Sequence, residues 1–194
     1  MTKIAIFGTG NVGSALARGL SRAGNEVQPI GATDRDTQRA LARGADVIVL
    51  AVPFGALGDV AAALGDAADG KIVVDATNAL DANMQLALGY TTSGAEELQR
   101  KLPAARVVKA FNTVFAQHMD TGKVAGQALT ALVAADDAAA KDTVLGLARA
   151  IGFEPVDAGP LANARLLEPL AYLHIQLGYM LGLDTQIGFK LVRG

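Results

Sequence analysis

The sequence predicts an α/β protein: a doubly wound, mainly parallel sheet, formed as a single domain over residues 1–194 with a long helix near the C-terminus. Three observations carry that prediction. Apolar, β-branched runs alternate with helix-period segments along the chain. Ala45-Asp46-Val47-Ile48-Val49-Leu50-Ala51-Val52 is apolar enough for a strand buried on both faces. The run from Lys3 to Phe7 passes directly into Gly8-Thr9-Gly10-Asn11-Val12-Gly13 and then an alanine-rich helical pattern.

Taken in order, the first strand and glycine turn lead to a helix through Ala23, ended by Gly24-Asn25, and to a second strand from Glu26 to Ile30. Gly31 to Gly44 holds only a short helical pattern before the buried third strand, which Pro53 ends. A helix is expected from about Phe54 to Ala68, a strand from Lys71 to Asp75, and a loop from Ala76 to Thr92. Ser93 with Glu96 reads as a capping box, opening a helix that stops near Leu102 and Pro103. Strands then follow at Arg106 to Ala110 and Gln127 to Ala134, a helix from Asp136-Asp137 to about Ile151, and a last strand from Glu154 to Ala158. Gly159-Pro160 turns the chain into the long helix, about 161–183.

Composition narrows the function. The 17 basic and 19 acidic residues give a net charge of −2 with no basic run, so neither nucleic acid nor a membrane surface is an expected partner. Cysteine is absent, which removes disulfides, thiolate metal sites and cysteine nucleophiles. The chain enters strand pattern by residue 3 without a signal-peptide pattern, so a cytoplasmic location is expected. The uncharged stretch between Glu168 and Asp184 holds His174 and Gln176 and falls short of the ~20 residues of a membrane helix, so it reads as a buried helix.

The glycine turn fits a G-x-G-x-x-G phosphate site: Gly8 for the sharp turn, Gly10 for approach of a pyrophosphate, Gly13 for close helix packing. Ligands in such sheets sit beyond the carboxyl ends of the strands. Strand two ends without an acid, and Thr33 and Arg35 beyond it suit the 2′-phosphate of NADP, although Asp34 lies between them. No nucleophile–base arrangement or metal cluster assembles. His118 and His174 are the only histidines, and His174 reads as a core or interface residue; Asp75 reads as a loop cap.

Absent acid–base machinery suits hydride transfer between two stacked rings, which needs alignment, apolar walls and a few amide donors. Asn78, Asn112 and Thr113 are candidate donors, and Phe54 and Phe111 candidate walls.

Gly8-Thr9-Gly10-Asn11-Val12-Gly13, Thr92-Ser93-Gly94-Ala95-Glu96-Glu97, Val107-Val108-Lys109-Ala110-Phe111-Asn112-Thr113, Gly159-Pro160-Leu161-Ala162-Asn163-Ala164-Arg165 and Gly188-Phe189-Lys190 resemble the NADPH-dependent reductases of the deazaflavin coenzyme F420. The chain is also similar to the reductase domain of six-transmembrane metalloreductases. The resemblance implies a Rossmann-type homodimer passing hydride between NADP(H) and a deazaflavin or flavin. It assigns Gly8, Thr9, Gly10, Asn11, Val12 and Gly13 to the pyrophosphate, Thr33 and Arg35 to the 2′-phosphate, and Ala51, Val52, Pro53, Asn78, Ala110 and Asn112 to the nicotinamide side of NADP. Phe54, Thr77, Phe111 and Thr113 fall to the acceptor side. The chain departs from the family in its short Gly31 to Gly44 segment and in Asn112, where archaeal members carry histidine.

Two functions of different class stay open on the sequence: an NADPH-dependent oxidoreductase acting on a deazaflavin or flavin, and an NADP(H)-binding redox sensor without turnover. A reductase of imines or 2-hydroxy acids would need a larger helical domain than the one long helix after Pro160 supplies.

Overall fold

The computed structural model describes all 194 residues. Strands β1 (Lys3–Phe7), β2 (Glu26–Ile30), β3 (Val47–Leu50), β4 (Ile72–Asp75) and β5 (Arg106–Lys109) alternate with helices α1 (Asn11–Arg22), α2 (Arg35–Gly44), α3 (Phe54–Leu64) and α4 (Gly94–Lys101). A small hairpin of β6 (Lys123–Val124) and β7 (Gln127–Ala128) follows, then β8 (Thr130–Ala135), α5 (Ala138–Ile151), β9 (Glu154–Asp157) and α6 (Ala164–Ile175). Seven strands form one sheet in the order β2-β1-β3-β4-β5-β8-β9. Strands β1 to β5 are mutually parallel, β8 runs antiparallel to β5, and β9 is parallel to β8.

The register of the parallel half matters most for function. Ile30, Phe7, Leu50, Asp75 and Lys109 stand side by side at the carboxyl ends of their strands. The segments that follow these strands therefore open on one edge, and the strand order reverses between β1 and β3, which is where a crevice forms.

The core lies on both faces of the sheet. On one, Ile4, Ile6, Val108 and Ala131 pack against Leu16 and Leu20 of α1 and Val144 and Leu147 of α5. On the other, Phe7, Ile48, Leu50 and Val107 pack against Leu57 and Leu64 of α3 and Leu98 of α4. Burial of Val47 to Leu50 on both faces explains their uninterrupted apolar sequence.

Three elements differ from the sequence expectation. The strand expected from Gln127 to Ala134 is two. Ala125 (φ +48°) and Gly126 (φ +78°) turn the chain so that Gln127 and Ala128 pair with Val124 and Lys123, and only Thr130 onward joins the sheet. The helix expected from about Phe54 to Ala68 ends at Leu64, where Gly65 (φ +49°) carries the chain into a 3-10 turn (Gly65–Ala68). The helix expected over 161–183 is a 3-10 turn (Leu161–Asn163), α6, and a π-helical turn (Gln176–Met180). It stops because Gly182 (φ +75°) and Asp184 (φ +66°) leave helical geometry.

Helix α6 lies over the segments that follow β4 and β5. Leu167 O accepts from Asn112 Nδ2 (3.0 Å), Tyr172 Oη donates to Gln85 Oε1 (2.7 Å), and His174 Nδ1 meets Thr113 O at 3.1 Å. The His174 ring is buried between Phe115 and Phe189, with centroids 4.2 and 4.7 Å away. It is a core histidine, in keeping with its sequence reading.

Burial holds the His174 pKa below its ordinary 6.5, outweighing the Thr113 and Ile187 carbonyls, and nearby His118 adds to the depression. The unfolded chain then binds a proton at a pH where the folded chain does not, so stability is lost as pH falls from 6.5 through the folded-state pKa. The urea midpoint is expected to drop between about pH 7.5 and pH 5.5, and His174→Gln is expected to flatten that slope. An unchanged slope in the variant would contradict the assignment.

Candidate functional site

The glycine turn is built mainly by packing. Gly8 has φ +116°, and a Cβ there would lie 2.2 Å from Ala51 O; a Cβ on Gly13 would lie 1.9 Å from Gly8 O. Both glycines are thus required to join β1, α1 and β3. Gly10 is different, because no protein atom beyond its chain neighbours lies within 4 Å of its Cβ position. Nothing in the protein demands a glycine there, whereas a phosphate approaching the backbone would. Gly10 also offers α1 no side-chain cap, so the first-turn N–H groups of that helix are left for an anion. The exposed Thr9 and Asn11 and half-buried Val12 flank this turn.

The Thr9 side chain lies against Gly31, just beyond the end of β2. Asp34 caps α2: its carboxylate accepts from Thr37 N (2.9 Å), Thr37 Oγ1 (2.8 Å) and Thr33 Oγ1 (3.3 Å). These bonds, led by Thr37 N, hold its pKa below the ordinary 3.8. The carboxylate is therefore occupied, while the exposed Arg35 side chain makes neither a hydrogen bond nor an ion pair. Arg39 and Arg43, one and two turns on, are instead tied to Asp66.

A cleft of about 420 Å³ opens beside the turn. Gly10, Asn11 and Val12 form one side, Ala51, Val52, Pro53 and Phe54 the floor beyond β3, and Ala76, Thr77, Asn78, Leu80, Asp81 and Met84 the far wall. Its size suits a small-molecule ring. Asp81 is the single charged residue in this lining, and its Oδ1 already accepts from Asn83 N (2.8 Å) and Gln85 N (2.9 Å). The Leu80 to Leu86 loop is closed further by a bridge between those two residues. No group in the cleft is free to act as acid or base.

Not every expected residue comes to this cleft. Ala110, Phe111, Asn112 and Thr113 are buried behind it. Phe111 has φ +67°, which turns its ring into the core, 6.0 Å from Phe153. Asn112 and Asn78 bond each other, Nδ2 of Asn112 to Oδ1 of Asn78 at 3.1 Å and Nδ2 of Asn78 to Asn112 O at 3.2 Å. The two asparagines tie the loops together, and Asn78 alone borders the cleft.

Sequence reasoning missed Leu80, Asp81 and Met84, whose loop has no periodicity; the Asp-Ala-Asn turn composition of residues 81–83 was the available signal. It also missed a buried ionic cluster. Lys109 Nζ donates to Asp75 Oδ2 (2.9 Å), Glu168 Oε1 (2.9 Å) and Thr77 O (2.7 Å), and Lys109 and Asp75 are wholly buried. Burial alone would push the Lys109 pKa down, but Asp75 and Glu168 together hold it above its ordinary value. Asp75 also caps its own loop through Thr77 N (2.9 Å), as its sequence reading had it. Glu168 Oε2 accepts from Gly94 N (3.0 Å) at the start of α4. A second link, between Arg165 and Glu96, holds α6 to the capping box of α4.

The model of the family described as "NADP oxidoreductase coenzyme F420-dependent" matches residues 3–43 and 28–79. The F420-dependent NADP reductase of Methanothermobacter marburgensis is 32% identical over 209 aligned positions, covering 90% of this chain and 92% of that protein. A crystal structure of a candidate F420-dependent NADP reductase from Arthrobacter sp. FB24 superposes with a TM-score of 0.90 at 32% identity, over 100% of both chains. Metalloreductase STEAP3 of Rattus norvegicus is 40% identical over 107 residues, 55% of this chain, and the chain spans only 21% of that longer protein. No helix here is long and apolar enough to cross a membrane. On its matched turn, its full-length likeness to the archaeal reductase and its fold, the chain belongs to the family of coenzyme F420-dependent NADP oxidoreductases.

Proposed function

We propose that this protein transfers hydride directly between NADP(H) and a deazaflavin of the coenzyme F420 type, with a flavin as the alternative acceptor. The observation that carries this reading is the cleft: it adjoins a phosphate-type glycine turn, its walls are largely apolar, and its one charged residue is spent on its own loop. NADP(H), when bound, supplies the hydride. The chain's contribution is alignment and exclusion of water, which suffices when two rings stack.

The Gly8 to Gly13 turn, with Thr9, Asn11 and Val12, takes the pyrophosphate, and Ala51, Val52 and Pro53 border the nicotinamide. Phe54 and the loop at Leu80 and Met84 wall the acceptor side. Ala110, Phe111, Asn112 and Thr113 support the cleft from behind, consistent with their burial. Arg35 and Thr33 receive the 2′-phosphate, since the neighbouring carboxylate is committed to its helix cap.

The subunits pair as a homodimer through α6, whose outer face and following turn expose Leu166, Leu173, Tyr179, Met180 and Leu181. None of these five residues lines the cleft. Light scattering at about 10 μM is expected to give twice the subunit mass, and Leu173→Glu to lower it. A monomer in the native protein would overturn the pairing.

The function itself is tested by following NADPH absorbance while F420, FMN, FAD and ferric chelates are offered in turn. Rapid oxidation with the deazaflavin is expected. Tight NADPH binding without turnover on any acceptor would replace this reading with a non-catalytic sensor. In the same assay Arg35→Ala should weaken NADPH about 10- to 100-fold and leave NADH nearly unchanged, whereas equal losses would contradict the 2′-phosphate assignment.

A further inference from the structure

One residue of the cleft wall sits in a backbone conformation that its type disfavours. Met84 has φ +59°, the left-handed region, where residues other than glycine, asparagine and aspartate are strained. Asn83, which would suit that conformation, stands one position earlier and does not adopt it. The loop holds Met84 there. Met84 N donates to Asp81 O (3.0 Å), Asp81 N to Gln85 O (2.8 Å), and Asp81 Oδ1 accepts from the backbone on either side of Met84, at Asn83 N and Gln85 N. Ala87 N donates to Ala79 O (2.8 Å) at the base of the loop, and Tyr172 of α6 holds the Gln85 side chain.

The backbone around Met84 is thus pinned, while its side chain is not. Met84 borders the cleft and is 54% exposed. An exposed apolar residue means little by itself. Here it coincides with a left-handed position at which glycine or asparagine would form the same turn with less strain, so the turn supplies no reason for a methionine. A ligand supplies one. Methionine is unbranched, has three rotatable bonds and carries a polarisable sulfur that packs well against aromatic rings. A fixed backbone bearing a free side chain of this kind can fold over a flat ring without reordering the loop. A thioether offers neither charge nor an N–H, so its match is an aromatic face and not a phosphate or carboxylate. Met84 also stands on the wall opposite Gly10 to Val12, which favours the acceptor over the pyrophosphate of the dinucleotide.

We propose that Met84 is a specificity-determining residue whose side chain closes over the open face of the acceptor ring, selecting flat aromatic acceptors. The role rests on the function proposed above and adds the residue that holds the second ring in place.

Met84→Gly, Met84→Asn and Met84→Leu are compared with the native protein in thermal midpoint, NADPH affinity and acceptor KM, with F420 or FMN as acceptor, whichever the native protein reduces faster. The strain makes the first two variants at least as stable as native, so their thermal midpoints hold or rise. Both nevertheless raise acceptor KM about tenfold and leave NADPH affinity unchanged, because an apolar contact with the ring is lost. Met84→Leu keeps an apolar side chain of similar volume and stays within about threefold of the native KM. Native acceptor KM in Met84→Asn would overturn the proposal and leave the function intact. So would a lowered midpoint with equal losses in NADPH affinity and acceptor KM, which marks a structural role, or a Met84→Leu variant as impaired as Met84→Asn. Native protein that oxidises NADPH with no acceptor would remove the function and this role together.

Discussion

The Asp75–Lys109–Glu168 cluster is the constraint on which the cleft depends. It joins the ends of two adjacent strands, the loop that follows one of them, the start of α4 and the middle of α6. One ammonium faces two carboxylates, and the excess negative charge is met by the N–H groups of Gly94 and Ala95 at the positive end of α4. Every Lys109 donor has a partner, so the desolvation of a buried cation is repaid by geometry. Removing one member would strand a buried charge, at about 3–5 kcal/mol. The cluster therefore gives position to a loop with little packing of its own, and α6 cannot shift without breaking it.

The carboxylates around the cleft are committed to protein partners, including Asp81 in its lining. Asp34 is used to start α2, Asp81 to close its loop, and Glu96 to hold Arg165 and Ser93. What remains facing a ligand is apolar side chain, the exposed Asn11 side chain, backbone N–H at the start of α1 and an unpaired Arg35 beyond the strand-two tip. Such a lining favours binding and alignment over proton transfer. It accords with a family to which the F420-dependent NADP reductase of Methanothermobacter marburgensis belongs.

The legible parts of the molecule were those encoded locally. Strand and helix periods, the Ser93–Glu96 capping box and the glycine turn each occupy a few consecutive residues, and the fold follows from them. The side-chain partners were not local. Nothing near Lys109 in the sequence indicates Glu168, and nothing near Asn112 indicates Asn78, because those pairs exist only once the sheet has aligned its strand ends. The direction of Phe111 was likewise hidden: a left-handed backbone conformation at that one residue sends the ring into the core. Gly10 likewise stands apart only in the folded chain, where packing requires Gly8 and Gly13 and leaves the space beside Gly10 open.

The central claim is that two rings meet in an apolar cleft and hydride passes between them without touching solvent. NADPH carrying deuterium at the transferred position of nicotinamide C4 tests it, by mass spectrometry of the reduced deazaflavin formed in ordinary water. Quantitative retention of deuterium on the deazaflavin carbon is the result this account predicts; reduced deazaflavin carrying solvent hydrogen at that carbon would contradict it.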